Sequence, residues 1–308
     1  MKQLSRQAQR AIEDWLSRNA RPLELSQYQV LFHGAPVEPF LALLARYQNP
    51  DGGFGHALEP DNRNPASTPL TTSTALQQLR RVGFFDYAHP LYQGALAYLA
   101  GCEHRLDGLW TFTIPSNDAF PHAPWWTYDE QSNRKQSFGL SCELAAFVLA
   151  ASAPGQPVYE DALRIAREAL SRLQGGRCEG EMGVSGLAAL LPQWERLGWA
   201  TQAETLPKLK GLIDAAICRD PAQWEQYVPR PSVAIPSPDS PFYPGNEAIV
   251  ETELDYLVDT LPKDDVWPLT WQWFGMPYPG EWAVAQNWWK GVTTIERLLF
   301  LRAFGRLA

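Results

Sequence analysis

The chain has 308 residues, 45% of them hydrophobic and only 19% charged, with a formal net charge of −8. A phosphate backbone requires a concentrated basic surface, and no Lys/Arg run here is longer than a pair, so nucleic acid is excluded as an expected partner. No stretch approaches the roughly 18 apolar residues of a membrane span, and the composition suits one large globular domain over residues 1–308.

From the N-terminus, Met1 to Arg6 lead into an amphipathic pattern at Ala8, Ile12, Trp15 and Leu16. The continuous apolar core and cleavage site of a secretory signal are missing, which makes a cytoplasmic location the expectation. Next, Phe40, Leu43, Leu44 and Tyr47 stand at helical spacing and end in Gln48-Asn49-Pro50-Asp51-Gly52-Gly53-Phe54-Gly55. Leu70, Thr74, Leu76, Leu79 and Val82 give a second, looser stripe, with Gly83 placed to end it. The arrangement predicts a helical hairpin whose turn needs glycine where φ is positive.

Helical periodicity then recurs at Tyr92, Leu96 and Leu99, at Leu140, Leu144, Phe147 and Val148, and at Tyr159, Leu163, Ala166, Leu170 and Leu173. It returns at Leu206, Leu209, Ile213 and Ile217, and at Val250, Leu254, Leu257 and Leu261. Pro192 predicts a kink or early stop within 184–197, and Thr293 with Glu296 predicts a capping box opening the last helix, which ends near Gly305. Degenerate echoes of the first turn sit at Gly108-Leu109-Trp110, at 179–183 and at Gly280-Glu281-Trp282. Repeated hairpins cannot bury their apolar faces alone, so about ten to twelve helices are expected to stack or close. Residues 111–136, 219–246 and 262–290 do not read as helices and are rich in Trp, Tyr and Pro. Such composition predicts packed functional loops rather than disorder.

The Gln48 to Gly55 turn resembles the repeat of terpene cyclases, squalene cyclases and the β subunits of protein prenyltransferases, as carried by stand-alone bacterial members. The step Trp288-Trp289-Lys290-Gly291 before a helix is similar to a closing repeat. The resemblance implies an all-α fold, an α/α toroid with the long aromatic and Pro-rich loops at one rim. It also implies a small apolar or amphipathic ligand, such as a prenyl compound. Other signatures of those proteins differ here. Asp264-Asp265 lacks the first Asp of an Asp-x-Asp-Asp motif, Asp129 to Asn133 ends in Asn where a metal-binding motif has Asp, and no Asp-x-Cys occurs. No cofactor and no metal is assigned.

Two loops concentrate chemistry. His56, Glu59 and Asp61 lie within six residues, followed by Arg63, a grouping suited to general acid/base work or, in the bland reading, to bracing a turn. His122 lies in a Pro-rich stretch with Trp125, Trp126 and Tyr128, whose faces can hold a cation or stack on a sugar. The expected catalytic set is Glu59, Asp61, His56 and His122, with Trp110, Trp125, Trp126, Tyr128, Arg63 and Arg134 as substrate contacts. Arg134, Lys135 and Lys290 are further cationic candidates. Glu247, Glu251 and Asp255 share a helix face and need basic partners or mark a cavity. The four cysteines fall at near-even intervals without a Cys-x-x-Cys pair, and read as reduced, structural residues. Three functions remain open: isoprenoid handling, a carbohydrate-active (α/α) barrel hydrolase or lyase using paired carboxylates, and a non-catalytic binding scaffold.

Overall fold

The computed structural model describes residues 1–177, 182–263 and 265–308. Cys178, the repeat echo at 179–181 and Asp264 therefore lie outside the described residues. Among the described residues the chain is all-helical, with twelve α-helices and one two-stranded hairpin, and no helix is long and apolar enough to cross a membrane. They divide into two compact units, one of Met1–Phe40 with Ile213–Ala308 and one of Leu41–Leu212.

The continuous unit begins in α3 (Glu38–Leu44) and its extension over Ala45–Tyr47. α4 (Pro69–Arg81) starts where the Thr68 hydroxyl accepts from the Thr71 amide, with Pro69 in the first turn, and stops before Gly83 at φ +70°. α5 (Pro90–Gly101) is capped by His89. The hairpin β1 (Arg105–Leu106) to β2 (Leu109–Trp110) turns through Asp107 and Gly108, both left-handed, the geometry that a two-residue hairpin turn needs. α6 (Glu130–Ala151), α7 (Pro157–Gln174), α8 (Gly183–Arg196) and α9 (Gln202–Ala216) complete the order.

α7 buries Val158, Ala162, Ile165, Ala166, Ala169 and Leu173 along one stripe and is an ordinary amphipathic helix. α6 and α8 instead pack backbone to backbone. A Cβ on Gly186 would stand 2.3 Å from the Gly139 carbonyl oxygen and 2.9 Å from the Cys142 Cβ. A Cβ on Gly139 would meet the Met182 carbonyl carbon at 2.4 Å. Only glycine on both sides permits that approach.

The discontinuous unit contains α1 (Arg6–Asn19), capped by Ser5, and α2 (Pro22–His33), which ends on left-handed Gly34. It also holds α10 (Pro231–Ala234), α11 (Glu247–Thr260) and α12 (Pro279–Ala303). α12 packs on α2 and reaches the end of α1: the Asn287 side chain donates to the carbonyl of Asn19, the last residue of α1, at 2.8 Å, and Arg302 donates to the Leu31 carbonyl of α2. Leu4 pairs with Leu307 in a parallel bridge. Beside it Arg306, fully buried, binds Asp255 and the Lys2 carbonyl at 2.6 Å each and also pairs with Glu251. Two of the three acids on this face of α11, Glu251 and Asp255, thus share Arg306 as a basic partner.

Several boundaries differ from the sequence reading. α6 begins at Glu130, inside the segment 111–136 expected to be a loop, because Asp129 caps the Ser132 amide while the first turns lack an apolar stripe. α12 begins at Pro279, so Thr293 lies mid-helix. Its hydroxyl donates to the Trp289 carbonyl at 3.0 Å, and no capping box forms. α8 runs on to Arg196 with Pro192 inside it.

The helix contacts give two expectations. Gly186→Ala destabilises by about 1–3 kcal/mol in urea unfolding, because the α6–α8 backbones must separate. Gly211→Ala, in α9 with open space around it, is neutral or stabilising by up to about 1 kcal/mol. A third expectation concerns pH. The Arg306 hydrogen bond, aided by the Lys2 amide and the Arg306 charge, lowers the Asp255 carboxyl below its ordinary value. A lowered carboxyl stabilises above the unfolded value and loses that contribution as pH falls through the folded one. Asp255→Asn therefore flattens the acid limb of a stability–pH curve below about pH 4.

Candidate functional site

The turn at 48–55 is held by its own residues. The Gln48 side-chain amide donates to the Gly52 carbonyl at 2.9 Å and to the Leu91 carbonyl at 3.1 Å, tying the turn to the start of α5. The Asp51 carboxylate accepts from the Gly53 amide at 2.9 Å and from the Ser67 hydroxyl at 2.7 Å. Gly52 has φ +88°, and a Cβ there would stand 2.2 Å from the Gly94 carbonyl oxygen. Phe54, fully buried, bridges to both Gln48 and Thr68.

Beyond it the backbone is strained. His56 and Ala57 are consecutive left-handed residues at φ 56° and 58°, a conformation that costs of order 1–3 kcal/mol for each non-glycine residue. Flanking bonds enforce it: the His56 amide donates to the Asn64 carbonyl and the Leu58 amide to the Gly55 carbonyl. His56 itself is exposed, with Nε2 at 2.8 Å from the Asn49 side-chain oxygen.

The acid loop and the aromatic loop are paired. Asn62 and His122 form an antiparallel bridge, the Arg63 amide donates to the Pro121 carbonyl at 2.9 Å, and the Ala123 amide donates to the Asp61 carbonyl at 2.8 Å. Asn117, 1% exposed, joins them: its oxygen accepts from Asn62 at 3.0 Å and Asn64 at 2.9 Å, and its nitrogen donates to the Trp126 carbonyl at 3.0 Å. Glu59 and Asp61 are both buried, and the Glu59 carboxylate accepts from the Asp61 amide at 2.8 Å.

His122 is buried with both ring nitrogens engaged, Nδ1 at 2.6 Å from the Phe120 carbonyl and Nε2 at 3.0 Å from the Thr127 hydroxyl. Asp118 lies 3.9 Å away. Trp126 is buried against Phe112, ring centroids 5.0 Å apart, whereas Trp125 is 38% exposed and Tyr128 is half-buried. The loops thus bring Glu59, Asp61, Arg63, His122 and Trp126 into one polar and aromatic knot, with His56 at its exposed edge.

Two expected contacts lie elsewhere. Trp110 is fully buried, donates to the Leu99 carbonyl at 3.2 Å and is covered by the Arg105 guanidinium at 4.5 Å. Arg134 is exposed on α6, paired with Asp107 and with Glu130 at 2.8 Å. In the other unit, Lys290 binds Asp265 at 2.6 Å. Cys102 is a buried thiol, Cys142 is buried, and Cys218 is half-buried. Burial pushes the Cys102 thiol up, so it is no thiolate nucleophile at neutral pH.

One carboxylate escapes the sequence reading. Glu143, half-buried on α6, accepts from Gln77 at 2.6 Å and Ser73 at 3.2 Å on α4, and from Ser185 at 2.9 Å on α8. Among the described residues these neutral groups are its partners, and no cation joins them. Its signal in the sequence is a single acid between Leu140 and Leu144 in an otherwise apolar helix segment. Comparison with protein-family models, curated proteins and solved structures returns no match.

Asn117 is the residue on which the loop pairing turns. Asn117→Ala leaves the buried Asn62 and Asn64 amides and the Trp126 carbonyl short of a partner, at about 1–3 kcal/mol for each group left unsatisfied. A lowered urea midpoint with faster amide exchange at Arg63 and Ala123 is the expected outcome.

Proposed function

We propose that the helix pairs close as an α/α toroid and that α4, α6 and α8 line its ligand-binding face. On that face Glu143, Gln77, Ser73 and Ser185 converge from three helices, and this convergence carries the functional reading. A carboxyl group held by neutral donors keeps spare lone pairs for hydroxyl groups. Hydroxyls and amides are costly to cover with a hydrocarbon chain, because each loses its water without gaining a partner. The face therefore suits a polyhydroxylated ligand. We take the protein to be a carbohydrate-handling one, with Glu143 as the acceptor that fixes a sugar hydroxyl.

The acid loop supports the same ligand from a different position. Buried Glu59 and Asp61, on a loop whose backbone pairs with the loop that carries the exposed Trp125, have the residue types of a sugar subsite, in which an aromatic face stacks on the ring. Both ring nitrogens of His122 are committed to the loop, so we assign it to positioning rather than to proton transfer. The second reading is an isoprenoid-handling protein. The resemblance of residues 48–55 to the cyclase and prenyltransferase repeat supports it, as do the aromatic loops, whose faces attract a carbocation.

Thermal shift with neutral oligosaccharides and with prenyl diphosphates separates the two readings. A ligand at 100 times its dissociation constant stabilises by about 2.7 kcal/mol. The expected outcome is stabilisation by an oligosaccharide that Glu143→Gln abolishes without lowering the ligand-free midpoint. Stabilisation by prenyl compounds alone, insensitive to Glu143, moves the conclusion to the second reading. Glu59→Gln and Asp61→Asn, with unchanged circular dichroism, report whether the acid loop contributes to whichever ligand is found.

A further inference from the structure

The discontinuous unit buries a carboxylate whose hydrogen bonds come from a serine, while its nearest cation stands off at ion-pair distance. Glu253 of α11 is 1% exposed, and both of its oxygens are taken by one residue: Oε2 accepts from the Ser232 amide at 2.7 Å and Oε1 from the Ser232 hydroxyl at 2.6 Å. Arg230, just before α10, stops with Nε 3.8 Å from Glu253 Oε1, beyond hydrogen-bond reach, its guanidinium 6.0 Å from the Tyr256 ring centroid. Arg297 of α12 stands in the same cluster, 5.7 Å from the centroid of the buried Trp267. Its two terminal nitrogens each reach only the Pro268 carbonyl, at a long 3.4 Å.

Each guanidinium carries a planar fork of N–H donors. Among the described residues, these two forks find one carbonyl oxygen at the limit of hydrogen bonding and a carboxylate already occupied by Ser232. Burial, then the like charge of Arg230, pushes the Arg297 guanidinium down to about 10, partly offset by Glu296, Glu253 and Tyr256. Burial pushes the Glu253 carboxyl up, while the Ser232 donors and the two arginine charges hold it down, and as a carboxylate it leaves Arg230 and Arg297 with one positive charge in excess. Glu296, the remaining acid near Arg297, is solvent-exposed, where water screens its charge.

We propose that Arg230 and Arg297 form an anion site that takes the carboxylate of a small organic acid, with Trp267 and Tyr256 flanking its apolar part. The fork geometry matches a planar carboxylate bidentately. One negative charge balances the cluster, whereas a phosphate dianion overcompensates it, and the two rings favour an organic body over an inorganic ion. The site lies wholly within the discontinuous unit, so it stands or falls independently of the Glu143 reading.

The test is calorimetric titration of the full chain with benzoate, with benzamide as the neutral isostere and inorganic phosphate as the competing anion. Saturable benzoate binding is expected, with benzamide silent and phosphate weaker. Arg297→Gln and Arg230→Gln each weaken benzoate by about tenfold or more, and Arg297→Lys is intermediate because an ammonium lacks the fork. Glu253→Gln, by removing the buried negative charge, tightens benzoate. Absence of benzoate binding, benzamide binding as well as benzoate, or phosphate binding more tightly overturns the proposal. So does full benzoate affinity in a folded Arg297→Gln or, should that variant misfold, in Arg230→Gln.

Discussion

The close approach of Gly52 to Gly94 is the contact on which the continuous unit rests. It lets the turn lie on α5 with no side chain between, close enough for the Gln48 amide to reach carbonyls of both segments. With that turn seated, Phe54 is driven into the core and the chain leaves Gly55 along one fixed path. The left-handed His56 and Ala57 follow from that path, and so does the delivery of residues 59–63 to the aromatic loop. Substitution at Gly52 would meet both a steric and a conformational barrier, because the position needs positive φ and empty space together.

Glycine also decides how the helices pack. α6 and α8 meet through Gly139 and Gly186, where backbone rather than side chains makes the contact. Small residues at this seam bring Ser185 within reach of Glu143, which a seam of leucines would hold apart. The polar face of α4, α6 and α8 is thus a consequence of close packing between two helices, not of an isolated cluster of polar residues.

The helix of α4, the glycine turn and the end of α4 at Gly83 were legible because each depends on local chemistry: apolar spacing, a positive φ, a cap. The starts of α6 and α12 were not. Glu130 to Gln136 present no apolar stripe, since that end of the helix is held by the Asp129 cap and by Asn133 and Ser137, which donate to or accept from the 111–113 strand of loop. Thr293 and Glu296 have the form of a capping box, yet a hydroxyl that donates back to a carbonyl one turn earlier is equally compatible with mid-helix. The acid and aromatic loops were legible from their residue types as sources of one candidate set, whereas their backbone pairing was not. The role of Asn117 as its hub was not, because a lone Asn in a loop has no spacing or periodicity to mark it.

The discontinuous unit has a consequence for the order in which the protein forms. Its contact between the end of α1 and α12 joins Asn19 to Asn287, 268 residues apart, and Leu4 pairs with Leu307. A ribosome working at roughly 5–20 residues per second needs on the order of tens of seconds to cover that separation. The intervening Leu41–Leu212 segment forms a compact unit of its own and is synthesised well before then. α1 and α2 must therefore wait, with Ile12, Leu16 and Leu23 uncovered, through most of synthesis. That places the longest exposure of apolar surface at the beginning of the chain, where a holding chaperone would have its greatest effect on yield.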